Sequence, residues 1–214
     1  MIKNHKDLEK IWKQVPPDYY QKGVRNNLFQ KYWHTSKLNE ILKFIDTHPY
    51  SILDVGCASG WLLNEIHKRH PYAKCTGIDV YANAIIYGKK KYKNLHLLKA
   101  DAHYLPFPDN SFDVVVCSEV LEHVSNPEKV LKEINRVLKS DGIAIVEMDT
   151  GNWMFKLIWH VWTNIFKGVW RDSHIHIFNT QKLEKMILKN NFSLSKNVFN
   201  FTMAVVFRSK KNSK

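Results

Sequence analysis

The sequence predicts one α/β domain built on a mixed, mostly parallel sheet, and three features of its 214 residues carry that prediction. From about residue 36 onward, short apolar segments of strand length alternate with segments whose apolar residues recur at helical spacing. The first strand segment runs directly into a glycine-containing turn, as in folds that bind ligands at strand ends. The last two strand segments lie too close in sequence for a crossover helix, so they pair antiparallel and make the sheet mixed.

Residues 1–34 are polar and aromatic, are broken by Pro16-Pro17, and read as an N-terminal helical cap segment ahead of a domain over 35–214. Leu38, Ile41, Leu42 and Ile45 share one helical face between Ser36 and His48, and Pro49 stops that helix. The apolar run Ser51 to Val55 is the first strand, and a helix follows from about Trp61 to His70. A second strand spans Lys74 to Val80, a helix Tyr81 to Lys91, and a third strand Leu95 to Leu98. Phe112 to Cys117, interrupted only at Asp113, is an apolar strand segment of the kind buried on both faces. The helix Pro127 to Leu138 carries Val130, Leu131, Ile134 and Val137 on one side, and Asp141-Gly142 turns the chain into the strand Ile143 to Met148. A Trp-rich insertion at 151–171 precedes the helix Thr180 to Lys189, and strands at Phe192 to Asn197 and Thr202 to Arg208 close the domain.

Composition removes several function classes. With 44% hydrophobic residues, eight Gly and seven Pro, the chain has the makings of a core, not of a low-complexity coil. No run reaches the roughly 20 apolar residues of a membrane span, and Met1 to Lys6 lacks the apolar centre of a signal peptide, so a cytoplasmic location is expected. The formal charge of +12 would suit a polyanion, yet the basic residues are 27 Lys and 5 Arg. Bidentate reading of phosphate and guanine is arginine work, so no nucleic-acid partner is expected. Cys57, Cys75 and Cys117 have no CxxC spacing and read as reduced, small apolar residues.

Ligands in such sheets bind beyond the carboxyl ends of the strands. There the chain places Asp54-Val55-Gly56-Cys57-Ala58-Ser59-Gly60, whose small residues let the backbone approach a ligand. A dinucleotide fingerprint starting at Gly56 would need a small residue where Trp61 stands, so that pattern fails. Asp79 ends the second strand, 25 residues after Asp54, where a carboxylate can accept from both hydroxyls of a ribose. Asp101 follows the third strand, where a carboxylate can accept from an adenine amino group. Each acid alone fits a helix cap or a loop; together, each just past a strand, they point to a nucleoside site.

Ile52 to Gly60, Gly77-Ile78-Asp79, Lys99-Ala100-Asp101, Leu105 to Val115, Glu119 to Val124 and Glu133 to Lys139, in that order, closely resemble the class I S-adenosylmethionine-dependent methyltransferases of the type 11 group, the UbiE/UbiG-like family. The resemblance covers roughly residues 40–150. It implies the class I methyltransferase fold, a Rossmann-like sheet of seven strands with the last reversed and helices on both sides. It departs at Ala58, where the family usually has Gly. The cofactor-binding set it implies is Asp54, Gly56, Cys57, Ala58 and Gly60 for the methionine part, Asp79 and Val80 at the ribose, Asp101 and Ala102 at the adenine, and Ser118 beside the sulfonium.

Methyl transfer from S-adenosylmethionine is an in-line displacement at an already activated carbon, so alignment and water exclusion are the enzyme's main task. His123, just after the fourth strand, is the candidate base where the acceptor must lose a proton, with Glu119 beside the sulfonium. A helix-start histidine bonded to backbone fits His123 equally well. Glu119, Glu122 and His123 are also similar to the Glu-x-x-Glu-His cluster that holds a divalent metal in some relatives, which His174 or His176 would complete. The expectation is that no ion is needed.

Four of seven tryptophans lie in the insertion. Lys156, His160, Thr163, Asn164 and Lys167 form a polar stripe bordered by Trp153, Trp159 and Trp170, with Met154, Leu157, Ile158, Val161, Trp162, Ile165 and Val169 filling the rest. A lid over the acceptor pocket is the favoured reading, and a membrane-surface helix over Trp153–Trp170 is the alternative. Both imply a small or lipid-like acceptor with a large apolar part: a quinone precursor, an isoprenoid lipid or a lipid-linked glycan. The competing functions are a non-catalytic cofactor-binding partner of the same fold and an RNA methyltransferase.

Overall fold

The computed structural model describes residues 14–45, 48–164, 175–176, 178–199 and 204–211. In chain order the elements are α1 (Tyr19–Asn26), α2 (Leu28–Phe44), β1 (Ser51–Val55), α3 (Trp61–Arg69), β2 (Lys74–Asp79), α4 (Ala82–Lys91), β3 (His96–Lys99), β4 (Phe112–Ser118), α5 (Pro127–Val137), β5 (Leu138–Asp149), α6 (Trp153–Asn164), α7 (Thr180–Lys189), β6 (Phe192–Phe199) and β7 (Ala204–Lys211).

The seven strands form one sheet in the order β3-β2-β1-β4-β5-β7-β6. Only β7 is reversed, pairing antiparallel with β5 and with β6, whereas β1 to β5 pair in parallel. Because side chains alternate along a strand, Leu53, Val55, Val115 and Cys117 pack into one core with α5 and α7. Ile52, Val114 and Val116 pack into a second core on the opposite face with α2, α3 and α4. The strand order reverses between β1 and β4, which opens the crevice at their carboxyl ends.

Local chemistry sets the helix that backs the first core. The Asn126 side chain accepts from Lys129 N–H, Pro127 opens the first turn, and Val130, Leu131, Ile134 and Val137 are fully buried. Each such side chain contributes about 1.5–3 kcal/mol on burial, so Ile134→Ala would be a damaging single change. Arg136 on this helix donates to the Leu105 and Phe107 carbonyls at 2.9 and 2.7 Å and to Asp109 and Glu133 at 2.8 Å, which fastens the loop between β3 and β4.

Several expected boundaries shift. The expected helix over 36–48 is α2, which begins at Leu28 because Asn27 caps it through Gln30 N–H, and which ends at Phe44 ahead of Pro49. It therefore runs unbroken across position 34, where the cap segment is expected to end. Strand β5 begins at Leu138, opposite Phe112, and the ladder resumes at Val114 and Ile143 after a register shift. The expected Asp141-Gly142 turn is thus an irregularity inside a longer strand. Any helix within residues 1–13 falls outside the described residues.

Candidate active site

The turn after β1 needs backbone that few residues adopt. Gly56 has φ +76°, and a side chain there would run into Val120; Gly60, at φ +83°, caps α3. Ala58 also lies in the left-handed region, at φ +48°, where glycine would be the less strained residue. Asp79 holds the turn in position: its Oδ2 accepts from Ala58 N–H and its Oδ1 from Tyr81 N–H, both at 2.8 Å. One carboxylate thus joins the end of β2 to the turn while each oxygen keeps a lone pair for a ligand. Burial raises the Asp79 carboxyl, and the amides pull it back only partly. Asp54, on β1 behind the turn, is 2% exposed with its Oδ2 unpartnered among the described residues. Burial, assisted by the Asp79 charge, pushes its carboxyl up to about 7.

Asp101 Oδ1 accepts from His103 N–H at 2.9 Å and lies 2.6 Å from His103 Nδ1. His103 Nε2 receives Asn126 N–H at 3.2 Å, so the ring proton is on Nδ1 and is donated to Asp101. His103 thereby ties the loop after β3 to the cap of α5.

Beyond β4 and β5 lies a cluster of acids. Glu119, at φ +53°, pairs with Lys37 of α2, Nζ to Oε1 at 2.6 Å. Lys37 also lies 3.8 Å from Glu147 Oε2, which accepts from the Ser118 hydroxyl at 2.6 Å. Burial alone would raise Glu119, but Lys37 holds it well below the usual carboxylate range. Burial raises Glu147 and Asp149, and with the Glu119 charge it pushes Glu122 up to about 8. Burial, then the Lys37 charge, lowers His34 to about 3, so its ring is neutral.

Several of these groups line a cavity of ≈ 230 Å³. Gly56, Ala58, Asp79, Val80, Asp101 and Ala102 form one side, and Glu119, Glu122, His123 and Asp149 another. Tyr20 of α1, Phe29 and Trp33 of α2, and Phe155 and Ile158 of α6 supply the apolar wall.

Residues 53–146 match the family described as "Methyltransferase domain". Demethylmenaquinone methyltransferase from Listeria welshimeri is 30% identical over 153 residues, which are 68% of this chain and 64% of that protein. Sterol 4-C-methyltransferase strm-1 from Caenorhabditis elegans is 30% identical over 138 residues, 62% of this chain and 39% of that one. This chain thus spans a little under two thirds of the first curated relatives it matches. In fold it is similar to a SAM-dependent methyltransferase from Thermotoga maritima, with a TM-score of 0.70 at 20% identity over 94% of this chain and all of that one. A SAM-dependent methyltransferase from Aquifex aeolicus gives a TM-score of 0.66 at 19% identity over 95% and 97% of the two chains. Residues 53–146 thus match the type 11 methyltransferase domain, within a chain that has the fold of the methyltransferases it resembles.

Of the family positions expected to bind cofactor, six face the cavity, whereas Asp54, Cys57, Gly60 and Ser118 lie behind its wall. Glu119, Glu122 and His123, the residues similar to a metal-holding cluster, are not grouped as one: among the described residues no three His, Cys, Asp or Glu side chains are grouped to hold an ion. Glu119 is taken by Lys37, and His176 Nε2 donates to the Val124 carbonyl at 2.9 Å. His174, Lys167 and Trp170 lie outside the described residues, as do the side chains of Trp159 and Trp162. The helix of the insertion, α6, gives Phe155 and Ile158 to the cavity and leaves Trp153 72% and Leu157 57% exposed. Among the described residues no helix is long and apolar enough to cross a membrane.

Sequence reasoning missed Tyr20, Trp33, His34, Lys37, His103, Glu147 and Asp149. Two signals were present. Lys37 falls on the apolar stripe of α2, one turn before Ile41, and Glu147 interrupts the apolar run Ile143 to Met148 of β5.

Proposed function

We propose that the chain transfers a methyl group from S-adenosylmethionine to a small or lipid-like acceptor with a large apolar part, a quinone precursor, an isoprenoid lipid or a lipid-linked glycan. The observation that carries this reading is that Asp79 and Asp101 open onto the same cavity as the Gly56-Ala58 turn, opposite an aromatic wall. The residues suit the cofactor, which when bound supplies a methyl group activated on a sulfonium. Asp79 retains lone pairs for two ribose hydroxyls, Asp101 accepts from the adenine amino group, and Val80, Ala84, Ala100 and Ala102 offer the flat base a small apolar slot. The Gly56–Gly60 turn receives the methionine part.

On the acceptor side, Tyr20, Trp33, Phe155 and Ile158 exclude water and align the acceptor for in-line attack. His123, which also lines the cavity, takes the proton when the acceptor atom must lose one. The names of the relatives, a demethylmenaquinone methyltransferase and a sterol methyltransferase, support an apolar acceptor.

The test is calorimetric titration with S-adenosylmethionine, followed by incubation of lipid and small-molecule extracts with methyl-labelled cofactor and mass spectrometry of the products. His123→Ala is expected to lower turnover by ~100-fold while leaving cofactor affinity nearly unchanged. Absence of cofactor binding by the intact protein overturns the reading. Binding with no labelled product from any extract would leave a non-catalytic cofactor-binding protein of this fold.

A further inference from the structure

We infer that Glu122 recognises the acceptor's polar head, and that this head is a hydrogen-bond donor, a hydroxyl or an amine, and not an anion. The inference rests on the methyltransferase reading and deepens it by assigning a contact at the acceptor end of the same cavity.

Glu122 is 3% exposed and lines the cavity, and its Oε2 is buried without a hydrogen-bond partner among the described residues. Leaving such an oxygen unsatisfied is costly, about 1–3 kcal/mol, so a ligand donor placed there gains that much in preference over a ligand without one. The residue itself is held by its backbone. Its carbonyl accepts from Ile175 N–H at 3.0 Å and from His176 N–H at 3.2 Å, which leaves the side chain free of any part in holding that segment.

The neighbouring acids are otherwise engaged. Glu119 is ion-paired to Lys37, Asp79 carries two backbone amides, and Asp101 carries His103. Glu147 accepts from Ser118 and is outside the cavity lining. Asp149 lines the cavity and has its own unpartnered oxygen, Oδ1, which gives the donor head a second acceptor in the same cavity.

Charge excludes the opposite kind of head. Asp79, Asp101, Glu119, Glu122 and Asp149 all line the cavity, and no lysine or arginine among the described residues does. Of the three lining histidines, His34 is neutral through burial, His103 has both ring nitrogens occupied, and His123 is the group that the proposed function uses as a base, a role filled by a neutral ring. A carboxylate or phosphate head would meet the Glu119 charge and buried carboxyl groups with no lysine or arginine of the described lining to offset them, which disfavours an anion. A neutral or cationic donor finds the unpartnered carboxyl oxygens of Glu122 and Asp149.

The experiment uses three probes of matched shape, 4-butylphenol, 4-butylaniline and 4-butylbenzoate, titrated calorimetrically into the full chain saturated with S-adenosylhomocysteine. The phenol, the aniline or both are expected to bind at least about ten-fold more tightly than the benzoate, and which of the two binds better identifies the head as hydroxyl or amine. Glu122→Gln, which keeps a carbonyl acceptor, should retain most of that preference, and Glu122→Leu should abolish it. Both variants should still bind S-adenosylhomocysteine, which shows that they fold. Benzoate binding as well as the donor probes, no saturable donor binding, or a preference unchanged in Glu122→Leu overturns the inference. If the wild-type protein does not bind S-adenosylhomocysteine, the methyltransferase reading itself has failed.

Discussion

Lys37 Nζ lies 2.6 Å from Glu119 Oε1, so a helix outside the family-matched segment supplies the positive charge in an acidic cluster at the ends of β4 and β5. Lys37 is only 4% exposed, and the charges of Glu119, Glu147 and Asp149 raise its ammonium above its ordinary value against the opposing effect of burial. The N-terminal helices are therefore a structural part of the site. On α1, Gln21 adds a second tie, donating to the Ser59 hydroxyl of the β1 turn at 2.9 Å.

Removing the cation leaves buried carboxylates uncompensated. Lys37→Met should destabilise the fold by ~3–5 kcal/mol in urea unfolding, and adding Glu119→Gln should restore part of the loss. Strict additivity of the two changes would show that the pair is not coupled.

Asp54 makes stability depend on pH in a definite direction. Its folded carboxyl is raised to about 7, above its unfolded value, so its contribution is present at low pH and is lost as pH rises through the folded value. Asp54→Asn should therefore gain stability relative to wild type between about pH 4 and pH 7, by at most 1.4 kcal/mol per pH unit. Thermal melts of both proteins across that window check it, and a pH-independent difference would contradict it.

Ala58 occupies left-handed backbone that costs a non-glycine residue about 1–2 kcal/mol. Against this, glycine loses more chain entropy on folding, so Ala58→Gly should raise stability by only ~0.5–1 kcal/mol. Denaturant midpoints measure it, and a loss of stability would mean that the Ala58 methyl packs usefully.

Asp79 links ligand and turn. Asp79→Ala should weaken S-adenosylmethionine binding by ~1.5–3 kcal/mol, while Asp79→Asn, which keeps one acceptor oxygen, should lose less. Calorimetry decides, and equal losses in the two variants would show that the charge, not the acceptor geometry, matters.

The two readings of the Trp-rich segment separate on α6. As a lid, it should respond to Phe155→Ala, a cavity residue, with an acceptor Michaelis constant raised several-fold, and be indifferent to Lys156→Glu. As a membrane-surface helix, Lys156→Glu should release the protein from anionic liposomes in a salt-sensitive way. We expect the lid result.

The sequence by itself determined the alternation of strands and helices, the reversed last strand, and the ligand-facing turns at Gly56–Gly60, Asp79 and Asp101. These are local matters: apolar period shows which side of a segment is buried, and a glycine or acid just past a strand sits at the sheet's carboxyl edge wherever that strand is placed. Only the tertiary structure decided that Lys37 meets Glu119, that His103 orients Asp101 from the cap of α5, and that Glu122 Oε2 is left without a partner among the described residues while Glu119 is paired. Lys37 and Glu119 lie on elements far apart in sequence, brought together by α2 packing over the sheet beside β4 and β5. Periodicity could mark Lys37 as lying on a buried stripe, but which charge awaited it depended on how separate elements cross, and that is fixed by packing of the whole chain.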